Sequence, residues 1–348
     1  MTNPVKLVGV QYLRAIAALM VVAHHGFSTA ARYGGPETNT HWLAYGVDIF
    51  FVISGCIMWI TTSGRTIGAL EFYSKRIVRI VPLYWTLTIA MAVAVFLVPS
   101  AFNTARFDLW HTMASLLFIP SIHPSSGAFE PLLIQGWTLN YEMFFYLLFG
   151  AALLISGLKR RLAVAAVVLA LFSFAGVFVD ERTVLGFYTR SYLLEFGAGM
   201  LLGALILNGH RLRFGWAWVI IGFALLPALN NSGLPFLVRA SVPAILIVGG
   251  ILSWEDRIGY HPLPKVMGDA SYSIYLSNPL VIGVLTVISR RVAPIDSLAG
   301  TIVFVAVSFA ICTMAGLVVY WIIEKPLLAW GKRQPRMKHG QDVPAPAR

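Results

Sequence analysis

Arg14 and His25 stand inside the first apolar stretch of the chain, Leu7 to Phe27. Placed in lipid, an arginine at mid-bilayer costs about 2.5–3.5 kcal/mol on insertion scales. An α-helix has about 3.6 residues per turn, so a separation of about eleven residues is nearly three whole turns. Both side chains therefore leave one helix face, about 16 Å apart along the axis, and His24 does not share that face. An imidazole titrates near neutral pH and can act as a general base or carry an acyl group. A guanidinium can hold an anion or the charge that develops in an acyl transfer. A plain polar pair that bonds between helices is the structural alternative, and the two residues alone do not decide between them.

Other polar groups enter apolar runs at useful places. Asp48 opens the second run within Gly46-Val47-Asp48-Ile49-Phe50-Phe51-Val52-Ile53-Ser54-Gly55. It could orient His25 as the third member of a triad orients its base, or simply sit as an anion at a helix N-terminus. Gly46 and Gly55 would let helices approach closely. Glu142 lies one turn past Thr138 in Gln135-Gly136-Trp137-Thr138-Leu139-Asn140-Tyr141-Glu142. A carboxylate there needs a partner, and Arg14 and His25 are the candidates. Trp137 and Tyr141 are read as substrate contacts or as aromatic-belt residues. Arg76 and Arg79, at i and i+3, share a face ahead of the third run and suit phosphate recognition; ordinary anchoring on the cytoplasmic side is the bland alternative. Tyr272, Tyr275 and Asn278 form a polar stripe at the start of the ninth run. Pro326 is expected to end the tenth.

The elements that must position these groups are transmembrane helices. The chain has 348 residues, is 58% hydrophobic and only 12% charged, and has a mean hydropathy of +0.75. Soluble domains carry about 25% charged residues. Apolar runs fall at 7–27, 41–61, 80–99, 132–156, 162–179, 190–208, 214–229, 235–252, 272–290 and 298–323, near the ~20 residues that a bilayer requires. The expected fold is therefore an all-α polytopic membrane protein with about ten transmembrane helices. The run 109–120 is too short to span and is expected to lie at the interface. Lysines and arginines concentrate in alternate loops, including Lys6, Arg65, Lys159, Arg160 and Arg161, which puts both termini inside. Arg32, Arg106 and Arg190 fall on the sparser outer side. Residues 1–330 form one membrane domain, and 331–348 are expected to be a basic, disordered cytoplasmic tail. The net charge of +11 follows this loop pattern, with no basic stripe for nucleic acid. Cys56 and Cys312 lie in apolar runs as small hydrophobes, and no histidine has metal-ligand spacing, so no metal is expected.

Taken in order, these segments resemble the acyltransferase family 3 membrane proteins. The matching elements are Gln11-x-x-Arg14 with His25, the Gly46–Gly55 segment, Arg76-x-x-Arg79, Gly136-Trp137-Thr138-Leu139 with Glu142, Ser271-Tyr272-Ser273-Ile274-Tyr275-Leu276, and Glu324-x-Pro326. They cover residues 7–326 and look most like bacterial members that O-acetylate exopolysaccharides. The resemblance implies a multi-pass protein of the bacterial inner membrane. It would move an acetyl group from cytosolic acetyl-CoA to a hydroxyl of an extracytoplasmic or lipid-linked glycan, beside polysaccharide-export partners. It implies an essential Arg14–His25 pair and coenzyme A phosphates at Arg76 and Arg79. One position departs: many members carry histidine where this chain has Asn278, and an amide can hydrogen-bond but cannot titrate near neutral pH.

The expected catalytic set is His25, Arg14, Asp48 and Glu142. Arg76 and Arg79 are expected at the donor, and Trp137, Tyr141, Tyr275 and Asn278 at the acceptor. The rival class is a proton-coupled transporter or flippase that uses the same intramembrane charges as a relay; no inverted repeat or paired broken helices favour it.

Overall fold

The apolar runs become helices, and among the described residues no strand forms. The structure is a computed structural model that describes residues 7–64, 67–98, 107–292 and 295–333. Its helices are α1 (Val8–Arg32), α2 (Gly46–Ser63), α3 (Ala69–Leu97), α4 (Leu109–Leu116), α5 (Gly136–Ala152), α6 (Leu158–Ala175), α7 (Val184–Tyr188), α8 (Tyr192–Leu207), α9 (Gly215–Leu229), α10 (Val242–Trp254), α11 (Pro262–Asp269), α12 (Ser271–Val292), α13 (Leu298–Val319) and α14 (Lys325–Arg333). A 3-10 turn, His41–Tyr45, leads into α2; π turns Leu237–Ser241 and Tyr320–Glu324 precede α10 and α14.

Among the described residues, eight helical segments are long and apolar enough to cross a membrane, so the chain is a multi-pass membrane protein. Each of the ten apolar runs coincides with a helix. The two that fall short of a full crossing length are α5, with 17 residues, and α9, with 15. The short run 109–120 becomes α4, whose Asp108 side chain caps it by accepting from the backbone N–H of His111.

Close packing comes from glycine, as the sequence leads one to expect at Gly46 and Gly55. A β-carbon on Gly55 would strike the carbonyl oxygen of Phe196 on α8; one on Gly199 would strike that of Val52 on α2. The α2–α8 pair is thus held backbone to backbone. Gly46 faces the carbonyl of Ala17 and lets α1 lie against α2 in the same way. Around this seam, α1 also packs on α11, α12 and α13, and α3 packs on α5 and α12.

Three local expectations are corrected. Arg76 and Arg79 do not precede the third span: α3 begins at Ala69 and runs unbroken through Pro82. Pro326 does not end the last helix. It sits inside the continuous helical segment Leu298–Gly331; the carbonyl that its missing N–H leaves without a donor falls in the π turn Tyr320–Glu324, and that wider turn absorbs the change of register. Residues 331–333, assigned to the tail, continue α14. Residues 334–348, Lys6, Arg65 and Arg106 lie outside the described residues.

Candidate functional site

Five helices enclose a cavity of about 150 Å³. Arg14 reaches it from α1, Ser54 from α2, Arg76 and Arg79 from α3, Thr138, Glu142 and Tyr146 from α5, and Tyr272 and Tyr275 from α12. The apolar wall comes mainly from α2, with Phe50, Phe51, Ile53 and Ile57. Each polar group reaches inward because its helix presents that face at i, i+3 or i+4, as with Thr138, Glu142 and Tyr146 or Tyr272 and Tyr275.

The cationic wall is uneven. Arg79 is paired with Glu324, which is 1% exposed and also accepts from Ser273 Oγ at 2.5 Å. Its guanidinium lies 5.5 Å from the centroid of the Tyr272 ring, whose hydroxyl donates to the Ile80 carbonyl at 2.8 Å. Arg76 makes no ion pair among the described residues. It rests on Phe72 and Tyr146, 5.7 and 5.8 Å from the ring centroids, and its Nε is buried with no hydrogen-bond acceptor. Arg14 Nη1 donates to Gln11 Oε1 at 3.3 Å, and the side chain stands within electrostatic reach of Glu142 and Glu324. Glu142 accepts from Ser54 Oγ at 3.1 Å and from the Tyr146 hydroxyl. An unpaired guanidinium held between aromatic faces beside two further arginines is chemistry suited to an anionic ligand.

His25 does not line this cavity. It is joined to the cavity wall through Gln135, whose Nε2 lies 3.2 Å from His25 Nε2 and 3.4 Å from Asn278 Oδ1. The Gln135 carbonyl accepts from Thr138 Oγ1 at 2.9 Å and from the Tyr275 hydroxyl at 3.3 Å, and these two hydroxyls are 2.9 Å apart. Thr138 and Tyr275 are cavity residues, so one short network runs from the cavity to the imidazole.

Of the ten expected site residues, Arg14, Arg76, Arg79, Glu142 and Tyr275 share the cavity, and His25 and Asn278 meet through Gln135. Three are placed otherwise. The Asp48 carboxyl meets that of Glu195 on α8, so the orienting contact expected of it is made by Gln135. Tyr141 is fully buried, stacked on Phe187 with ring centroids 4.5 Å apart, and its hydroxyl is given to the Phe187 carbonyl. That leaves it no face for a substrate. Trp137 joins the same aromatic cluster with Phe51 and Tyr192. Gln135, Tyr146 and Glu195 were not expected at a site. Glu195 carried the same signal as Glu142, an ionisable residue in an apolar run. Gln135 carried none, being a neutral amide at a helix boundary. Among the described residues no group of three or more His, Cys, Asp or Glu could hold a metal ion.

A multi-pass helical membrane protein with an arginine-lined internal cavity joined to a histidine belongs to a definable class. Residues 7–317 match the family described as the acyltransferase domain of the acyltransferase 3 type, and the chain belongs to that family: it is a membrane acyltransferase. Among curated relatives, it is 39% identical over 310 residues to the exopolysaccharide production protein ExoZ of Rhizobium meliloti (strain 1021), covering 86% of this chain and 95% of that protein. No solved structure matches the chain.

Proposed function

We propose that this protein is an O-acetyltransferase that moves an acetyl group from cytosolic acetyl-CoA to a hydroxyl of an exopolysaccharide or its lipid-linked precursor, in the bacterial inner membrane. The observation that carries this reading is the network from the arginine-lined cavity through Thr138, Tyr275 and Gln135 to His25. It gives one site both an anion-binding wall and a base. The relative's printed role in exopolysaccharide production supports a glycan acceptor.

The donor, when bound, supplies the thioester carbonyl. Arg76, free of a carboxylate partner, holds its phosphates, with Arg79 beside it. The excess of lysine and arginine in alternate loops supports a cytosolic position for the end of α3 that carries the arginine pair. Arg14, deeper in the same cavity and about 16 Å from His25 along α1, adds the positive charge that positions the donor between the arginine pair and His25. His25 Nε2 takes the proton from the acceptor hydroxyl as the new C–O bond forms. The C–S bond then breaks, and the imidazolium returns that proton to the leaving thiolate. Glu142, fixed by Ser54 and Tyr146, balances the charge of Arg14.

The test uses membranes that contain the full-length protein, labelled acetyl-CoA and the host glycan. Label enters the glycan with the wild type and is lost with His25→Ala. Equal labelling by both would overturn the role of His25. Loss of glycan export with acetylation unchanged would point instead to transport.

A further inference from the structure

A glutamine amide can meet an imidazole nitrogen in two ways. Its NH2 can donate to a bare ring nitrogen, or its carbonyl can accept from a ring N–H. The residues of α12 decide which occurs here. Asn278 is fully buried, and its Nδ2 donates to the Tyr275 carbonyl at 2.6 Å. A backbone carbonyl only accepts, so the asparagine amide cannot be reversed without setting oxygen against oxygen. Its Oδ1 is therefore the atom turned towards Gln135, 3.4 Å away. An oxygen at that position requires a donor, so Gln135 presents Nε2. The same nitrogen reaches His25 Nε2 at 3.2 Å. Its remaining hydrogen needs a lone pair, and the ring nitrogen it meets must be unprotonated. Gln135 Oε1, buried without a hydrogen-bond partner, is the strain this order accepts: the reverse orientation would satisfy it only by breaking the Asn278 contacts.

We propose that Asn278, acting through Gln135, holds His25 as the neutral tautomer with its proton on Nδ1 and keeps Nε2 as the lone pair offered to the acceptor hydroxyl. Gln135 and Asn278 are positioning residues. The assignment of their purpose rests on the acetyl-transfer reading above, whereas the tautomer does not. The chain of constraint starts at a backbone carbonyl of α12, passes through two neutral amides on α12 and at the head of α5, and ends on α1. An incoming hydroxyl replaces the Gln135 N–H at Nε2 and meets a nitrogen that is already a base. Without this order, the imidazoles protonated at Nε2 would present N–H to the hydroxyl and would have to exchange that proton first.

Full-length protein with ring-¹⁵N histidine is reconstituted in liposomes and measured by solid-state NMR at neutral pH. His25 is identified by its disappearance in His25→Asn. The expected spectrum has a protonated Nδ1 and a bare Nε2. Gln135→Glu replaces the donor by a carboxylate that only accepts, so Nε2 becomes protonated and acetyl transfer falls by about 10²-fold, the scale of a lost general base. Asn278→Ala releases the glutamine, and both tautomers appear. A wild-type His25 protonated at Nε2, or a spectrum unchanged by Gln135→Glu, would overturn the proposal. The wild-type spectrum decides the assignment even where a variant fails to fold. Full transferase activity in His25→Ala, with the expected wild-type tautomer, would overturn the acetyl-transfer reading and leave the tautomer standing.

Discussion

Arg79 on α3 and Glu324 in the π turn ahead of α14 form an ion pair that ties the N-terminal half of α3 to the last helix. Glu324 is buried and its other oxygen accepts from Ser273, so the carboxylate is fixed from two sides. Arg76, one turn earlier on the same face, has no such partner among the described residues. The two arginines of the Arg-x-x-Arg motif are therefore unequal.

That inequality predicts different failures. Arg76→Gln should raise the KM for acetyl-CoA by about tenfold, the effect of one lost charged contact, with little change in thermal stability. Arg79→Gln should instead destabilise the protein by about 3 kcal/mol, the low end for breaking a buried pair, because Arg79 is 26% exposed. The double variant Arg79→Gln with Glu324→Gln should recover much of that loss. Donor-dependent kinetics and detergent melting curves separate the two effects; equal KM changes with equal stability in both single variants would contradict the assignment.

Glu142 is the sole carboxylate among the described residues that line the cavity, and it stands within reach of Arg14. Replacing it by glutamine removes repulsion towards a polyanionic donor and also removes the balance for Arg14. Glu142→Gln should thus lower both the KM for acetyl-CoA and kcat, the pattern of lost differential stabilisation of the transition state. A steady-state series over donor concentration checks this. A higher KM at unchanged kcat would show that Glu142 binds substrate rather than tuning the charge.

Much of this arrangement was legible from residue type. Arg14, Glu142, Arg76 and Arg79 announced themselves because ionisable groups in apolar helices are expensive, and the cavity gathers all four. The common face of Arg14 and His25 also followed from helical spacing, but their partners did not. Gln135 is neutral and sits where α5 begins, so neither periodicity nor cost marks it. Asp48 was assigned to His25 because both were expected near one membrane face. Depth along a helix says nothing of azimuth, and the packing of Gly55 and Gly199 turns Asp48 to α8. The role of Asn278 was equally hidden, since it depends on a backbone carbonyl three residues earlier.

Asp48 and Glu195 meet as two buried carboxyls, 2% and 0% exposed, and Ser241 Oγ donates to Glu195 Oε1 at 2.6 Å. Asp48 Oδ1 and Glu195 Oε2 receive no hydrogen from any other group. Two carboxyls bond to one another only when one carries a proton, and an amide can take the place of that protonated member. Asp48→Asn and Glu195→Gln should each keep the fold and most of the transfer activity. Asp48→Ala, which leaves Glu195 buried without its partner, should lose about 1–3 kcal/mol. Melting temperatures of the three variants check this, and an Asp48→Asn variant as damaged as Asp48→Ala would show that both carboxyls must be charged.

His111 and His123 form a second buried pair, in the segment between α3 and α5, with ring centroids 5.1 Å apart. His111 Nδ1 shares a hydrogen bond with Ser121 Oγ at 2.9 Å, and His123 Nδ1 accepts from the backbone N–H groups of Ser125 and Ser126. Burial, helped by the neighbouring His123 imidazole, pushes His111 down to about 4 from its ordinary 6.5; burial also lowers His123. A base whose folded pKa is depressed favours folding while it is neutral in both states, above about pH 6.5. As the pH falls from there towards 4, the unfolded chain takes up protons that the folded chain refuses, and stability drains away. Melting temperature should therefore fall across that window, and His111→Gln should flatten the fall. Because the Ser115 hydroxyl of α4 accepts from the Leu132 backbone N–H at 2.9 Å, the loosening should reach the segment that leads into Gln135. Transfer activity should then decline with the same pH dependence as the melting temperature, and an activity profile unmoved by His111→Gln would separate the two.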